Sequence, residues 1–156
     1  MDLKGVHNFL ANVEKQLDAL GIESTYVSGT GEPQIGDTLR ILLPITEEGH
    51  AAVTEIMITN IAGDLDLLML YSTIIVVLNE RKGELPQKLN EWNQLCPLGA
   101  YSIYEQEQQL SHKYTVPFDR DMEPDALADY AMTLLELLHS LLSVAYPDYS
   151  VYASDD

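Results

Sequence analysis

Four carboxylates stand at alternate positions from Asp119 to Asp125. Acidic residues at the first, third and fifth positions are typical of an EF-hand calcium loop. That loop also needs a glycine at its sixth position and a glutamate at its twelfth, and this chain has Pro124 and Tyr130 there. The sharp turn and the bidentate ligand are therefore missing. The pattern favours acidic residues at the start of a helix, where the helix dipole stabilises negative charge.

The histidines and the single cysteine do not form a recognisable reactive motif. His7, His50, His112 and His139 are scattered, without the spacing of a zinc-binding helix. Cys96 lies at the predicted end of a helix, where the dipole disfavours a thiolate. No phosphate-binding glycine loop or nucleophile elbow occurs. The sequence therefore predicts no catalytic residue, no metal site and no cofactor.

One enzymatic alternative remains open. Asp119, Asp121 and Glu123, or His112, would serve a small metal-dependent hydrolase. This alternative requires at least two of these side chains to converge in a concave pocket with a strongly shifted pKa.

Composition and charge limit the class of protein and its partners. The chain has 156 residues, enough for one domain, and 46% of them are hydrophobic, as expected of a globular chain. Eight Lys and Arg against 25 Asp and Glu give a net charge of −17. A surface of that sign repels phosphate backbones and anionic lipids, so we expect neither nucleic acid nor a membrane as partner. The lone cysteine and the lack of a signal-peptide pattern favour the cytoplasm.

Hydrophobic periodicity predicts the elements that would position a site. Apolar residues at helical spacing predict helices over 3–20, 86–96 and 124–145. Alternating or continuous apolar runs predict strands over 38–45, 52–61 and 65–78, then a hairpin over 101–106 and 110–118, with 23–28 as a further short candidate. The expected fold is α+β, an antiparallel sheet of about five strands in the order α-β-β-β-α-β-β-α. We expect a single domain over 1–146 and a loose, partly docked acidic tail over 147–156.

This order of elements resembles the small α+β domain of type III secretion chaperones and of the related YbjN family of bacterial proteins. The most particular stretch, over 88–104, is similar to the LN-x-x-N helix, small-residue stop and following strand of YbjN-like sequences. The resemblance implies that Asn90, Asn93 and Gly99 determine the fold. It also implies a homodimer that holds or regulates another protein, whose identity stays open.

Two segments are more apolar than one small domain needs. The strand over 65–78 is apolar on both faces, and the helix over 124–145 has a broad apolar face. A second copy that buries this excess would explain both, whereas a thick monomeric core is the alternative. The residues predicted to form the dimer interface or a client groove are Met69, Tyr71, Thr73, Leu134, Leu138, Leu141 and Leu142.

The end of the chain is strongly acidic. After Arg120 there are eight acidic residues and no Lys or Arg. Such a surface either steers a basic partner or keeps an apolar stripe soluble. The sequence thus predicts a non-enzymatic protein-binding module, chaperone-like or regulatory.

Overall fold

The computed structural model describes residues 1–30, 36–62, 65–104, 106 and 108–154, which form three α-helices and six strands. The helices are α1 (Leu3–Ala19), α2 (Leu85–Leu95) and α3 (Pro124–Ser150), and a 3₁₀ turn (Glu80–Glu84) precedes α2. The strands are β1 (Ser24–Val27), β2 (Thr38–Pro44), β3 (Ala51–Ala62), β4 (Leu65–Ile75), β5 (Ala100–Tyr104) and β6 (Gln109–Phe118).

The strands form one antiparallel sheet in the order β1-β2-β3-β4-β6-β5. The predicted α+β class is confirmed. The sheet has six strands rather than about five, because the short candidate near residue 24 pairs with β2 as an edge strand. Four strands therefore precede α2.

The first helix begins and ends where its sequence predicts. The Asp2 carboxylate accepts a hydrogen bond from the Gly5 backbone N–H at 2.7 Å, which satisfies one of the free donors of the first turn. Gly21 follows the helix with a φ of +71°, a conformation that glycine adopts without strain. Between these ends, Phe9, Leu10, Val13 and Leu17 face the core, among other buried residues.

The helices α1 and α3 cover only one face of the sheet. They pack on each other, with α1 also against β1 and β2 and α3 also against β4. Along β4, the buried residues Leu68, Leu70 and Ile74 alternate with Met69 and Tyr71, which are half-buried on the opposite side. The sequence predicts that this strand is covered on both faces, but within one copy the helices cover only one face of β4.

The described part of the segment after residue 146 is docked throughout and not only in part, so the prediction that it is loose is wrong. The helix α3 continues to Ser150, and Tyr149 and Tyr152 are buried. The Asn79 backbone N–H donates to the Tyr152 carbonyl at 2.9 Å. The reason is that Tyr149 lies seven residues after Leu142 and so continues the buried face of α3.

Candidate protein-interaction site

The side of the sheet opposite α1 and α3 is called the open face. The strand register places its side chains in rows across the sheet, so that Arg40, Glu55, Tyr71 and Lys113 are cross-strand neighbours. The same register aligns Met57 with Met69. The central residues of the open face are Arg40, Leu42, Val53, Glu55, Met57, Met69, Tyr71, Thr73, Lys113 and Thr115.

This face mixes polar side chains with a group of apolar ones that no other layer of the described structure covers. Leu42 and Tyr104 are exposed, and Val53, Met57 and Met69 are half-buried. A shallow cavity of about 550 Å³ opens among these side chains and is lined by Leu42, Val53 and Tyr104, among others. An antiparallel sheet that faces water normally alternates apolar and polar residues. Exposed apolar patches often mark protein-interaction sites, so this face is a candidate for one.

Three of the polar side chains of the open face, Arg40, Glu55 and Tyr71, are paired within the sheet. Arg40 donates two hydrogen bonds to the Glu55 carboxylate, from Nε at 3.1 Å and from Nη2 at 2.9 Å. The Tyr71 hydroxyl donates to the Ser111 Oγ at 3.0 Å. Covering this face with another surface would therefore leave these three side chains paired.

The open face also differs in charge from the rest of the molecule. Its described strand residues carry Arg40 and Lys113 as cations and Glu55 as a carboxylate. The whole chain has a net charge of −17. A strongly acidic molecule thus presents a near-neutral surface on this side of its sheet.

The structure separates the seven residues predicted to form an interface. Met69, Tyr71 and Thr73 lie on the open face, half-buried. The other four lie on α3, on the other side of the sheet.

The interface prediction is wrong for three of those four residues, Leu134, Leu138 and Leu142, because they are not on the surface. Leu134, Leu138 and Leu142 are buried in the core, and Leu141 beside them is half-buried. Leu138 lies in the intramolecular core. Substitution of Leu138 by a charged residue would therefore disturb folding, and its effect would not report on a dimer interface. The physical reason is that this side of α3 packs against α1 and the sheet, which fills the apolar stripe within one copy.

The acidic residues before α3 and His112 do not converge. The Asp119 carboxylate accepts a hydrogen bond from the Asp121 backbone N–H at 2.9 Å, which closes a local turn, and both residues are exposed, as is Glu123. His112 is fully buried in β6. Across the part of the chain that the structure describes, no group of three His, Cys, Asp or Glu residues could hold a metal ion. The arrangement required by the hydrolase alternative is not assembled there.

The structure contains a contact between Cys96 and His112 that the sequence does not predict. The Cys96 Sγ lies 3.7 Å from the His112 Nε2, and both atoms donate to the Leu98 carbonyl. Because Nε2 then carries a proton, it cannot accept one from the thiol. Burial lowers the pKa of His112, although the Leu98 carbonyl opposes this. The pair is therefore a neutral packing contact and not an activated nucleophile.

Aromatic residues from distant segments surround this contact. The Trp92 ring packs edge-on against Tyr101, Tyr149 and Tyr152. The Tyr149 hydroxyl donates to the Tyr101 hydroxyl. The tyrosines near the end of the sequence were the available signal for this cluster, but a one-dimensional pattern does not show which helix or strand they meet.

No protein-family model matches the chain, and no curated protein matches it. By length and composition, α3 could cross a membrane, but in this structure it is a core helix that packs on α1 and β4.

Proposed function

We propose that this chain is a non-enzymatic, cytoplasmic protein-binding module, chaperone-like or regulatory, that acts as a homodimer through the open face of its sheet. The uncovered apolar sheet face is the observation that carries the proposal. Its rows of Leu42, Val53, Met57 and Met69 leave apolar surface in water in a single copy. The YbjN-like resemblance independently implies a dimer that holds or regulates another protein.

Charge supports self-association through this face rather than another. Two copies that each carry −17 repel one another over most approaches. The open face contains Arg40, Glu55 and Lys113, so facing copies would bring few like charges together. Arg40 and Glu55 are already paired within one copy, which lowers the cost of removing them from water.

The side chains of this face also suit a self-complementary contact. A two-fold dimer uses the same patch on both copies, so the patch must fit itself. Met57 and Met69 are cross-strand neighbours near its centre, and methionine adapts its shape to an irregular opposing surface. Tyr71, whose hydroxyl is held by Ser111, presents a fixed aromatic ring beside them.

Sedimentation velocity tests the proposal. We expect the natural chain to sediment with about twice the 17.4 kDa mass of one copy. The double variant Met57→Glu/Met69→Glu should sediment as a folded monomer, because it brings like negative charges of the two copies together in the interface. The matched control is Leu3→Glu/Leu95→Glu, which adds the same charge at two highly exposed leucines outside the open face and should remain dimeric.

Two outcomes would overturn the proposal. One is a natural chain that stays monomeric at micromolar concentration and physiological salt. The other is a Met57→Glu/Met69→Glu variant that remains dimeric with an unchanged near-ultraviolet circular dichroism spectrum. That spectrum is measured for every variant, so that loss of the dimer is not confused with loss of the fold.

A further inference from the structure

A row of exposed apolar residues follows the outer side of α3, away from the core. Tyr130, Leu137, Val144 and Val151 are spaced seven residues apart and are 37%, 48%, 83% and 44% exposed. Leu141, half-buried, lies between Leu137 and Val144 on the same flank. These five residues are called the outer stripe. From Tyr130 to Val151 the outer stripe spans 21 residue steps, which is about 30 Å at the rise per residue of an α-helix.

The seven-residue spacing is that of a helix that pairs with another helix. An apolar residue at every seventh position, supported by one three or four residues away, forms a narrow seam along a helix. The core-facing residues of α3, such as Leu134, Leu138 and Leu142, occupy a different side of the helix. The outer stripe is therefore a second apolar surface that the intramolecular core does not use.

The charge of α3 argues against a second copy as the occupant. The helix has no Lys or Arg, and its carboxylates Asp125, Asp129, Glu136 and Asp148 are exposed. Two such helices side by side would bring like charges together along their whole length.

The partners of two of these carboxylates do not cancel the charge. Asp125 accepts from the Asn12 amide at 2.7 Å, and Asp129 accepts from the Gln16 amide at 3.1 Å. Both donors are neutral, so the negative charge of α3 persists. A complementary partner would carry Lys or Arg beside its own apolar seam.

We propose that the outer stripe of α3 binds a basic amphipathic helix of a partner protein, with an apolar seam of seven-residue period flanked by Lys and Arg. The inference rests on the proposed protein-binding function and adds to it the surface and the chemistry of the partner. It leaves the open face to the second copy, so the two contacts use different sides of the molecule.

Fluorescence anisotropy with a synthetic peptide tests this inference. The probe is a labelled peptide of about three heptads with leucine at the seam positions and lysine elsewhere. A scrambled peptide of the same composition measures binding by charge alone. At physiological salt we expect the amphipathic peptide to bind at least about tenfold more tightly than the scrambled one.

A variant with added negative charge distinguishes peptide binding through the outer stripe from peptide binding by charge alone. Leu137→Glu/Val144→Glu makes the protein more acidic, so binding by charge alone would become tighter. Binding through the outer stripe should instead weaken at least about tenfold, because the seam is lost. Leu3→Glu/Leu95→Glu adds the same charge at exposed leucines elsewhere and should not weaken binding.

Three results would overturn the inference. The first is equal affinity for the amphipathic and the scrambled peptide, and the second is unchanged affinity of the Leu137→Glu/Val144→Glu variant for the amphipathic peptide. The third is a protein that binds phosphatidylcholine vesicles but does not prefer the amphipathic peptide to the scrambled one. The dimer is followed in parallel by sedimentation. If the dimer persists while peptide binding fails, only this inference falls, whereas a monomer that still binds the peptide contradicts only the open-face dimer.

Discussion

The side-chain amide of Asn93 pairs with both backbone polar groups of Tyr101, as a neighbouring strand would. The Asn93 Nδ2 donates to the Tyr101 carbonyl at 3.0 Å, and the Tyr101 N–H donates to the Asn93 Oδ1 at 2.7 Å. Asn93 lies on α2 and Tyr101 on the edge strand β5. The amide thus attaches the helix to the sheet and occupies groups that another chain could use for strand pairing.

Replacement of this amide should lower stability measurably. In Asn93→Ala, two hydrogen bonds to a buried residue are lost, and we expect the free energy of unfolding to fall by about 1–2 kcal/mol. Urea unfolding at pH 7 measures the change. Asn90→Ala is the matched control. The resemblance implies a fold-determining role for Asn90 as well, but Asn90 is exposed on the same helix, so we expect its loss to change stability by less than about 0.5 kcal/mol. Equal effects of the two substitutions would show that the pairing with Tyr101 contributes nothing.

Gly99 should tolerate no side chain. Its φ is +68°, and a Cβ there would lie 2.2 Å from the Lys113 carbonyl oxygen and 2.9 Å from His112 Cε1. Both the strained backbone and the steric clash act against Gly99→Ala, so we expect a loss of at least about 2 kcal/mol in the free energy of unfolding. Thermal unfolding of Gly83→Ala provides the comparison, because a Cβ on Gly83 meets nothing within 4 Å. Similar melting temperatures for the two variants would contradict the geometry of this turn.

Periodicity was sufficient for the type and order of the elements and for the fold class, although α3 continues to Ser150 and β4 ends at Ile75. The alternation of Leu39, Ile41 and Leu43 in β2 is a local property of a strand that buries one side, and the structure buries these three residues. The cap at Asp2 and the glycine at position 21 are equally local. Each of these signals depends only on residues a few positions away in the chain, so it can be recognised in a single sequence.

Which apolar side faces the core was not predictable in the same way. Leu137 is 48% exposed and Leu138 is 3% exposed, yet both belong to a helix that is apolar on more than one side. The choice depends on where α1 packs, and that packing involves residues more than a hundred positions away in the sequence. The contact of Tyr149 with Tyr101 is non-local as well, and for this reason the end of the chain was predicted as a tail.

A tyrosine–aspartate contact near β1 should make stability depend on pH. The hydrogen bond from the Gly29 N–H, followed by that from the Tyr26 hydroxyl, lowers the pKa of Asp37. A carboxyl whose pKa is lower in the folded state stabilises the fold above its unfolded pKa, and this contribution disappears as pH falls through the folded pKa. Desolvation, followed by the contact with Asp37, raises the pKa of Tyr26 to about 12. Its contribution is complete below about pH 10 and disappears as pH rises through about 12.

The substitution Asp37→Asn tests this linkage. We expect the variant to be less stable than the natural chain at pH 7, and the difference should shrink below about pH 4 as Asp37 itself becomes protonated. Urea unfolding at several pH values gives the two curves. Asp18→Asn replaces an exposed aspartate on α1 and serves as the control. A difference between Asp37→Asn and the natural chain that stays constant from pH 7 to about pH 3 would contradict the assignment.

Removal of the segment after Tyr146 should destroy the fold rather than trim it. A chain that ends at residue 146 loses Tyr149 and Tyr152, which are buried against Trp92. Loss of one buried aromatic side chain typically costs about 3–5 kcal/mol, and domains of this kind are stable by only about 5–15 kcal/mol. The shortened chain should therefore be largely unfolded by circular dichroism at 25 °C.

A chain that ends at residue 154 is the matched control for this truncation, because it keeps both tyrosines and the hydrogen bond from the Ser154 N–H to the Val77 carbonyl. We expect it to retain the melting temperature of the full chain to within a few degrees. If the chain that ends at residue 146 melts cooperatively near the same temperature, the packing of Tyr149 and Tyr152 is dispensable. The segment after residue 146 would then be the tail that its acidic residues and proline first indicated.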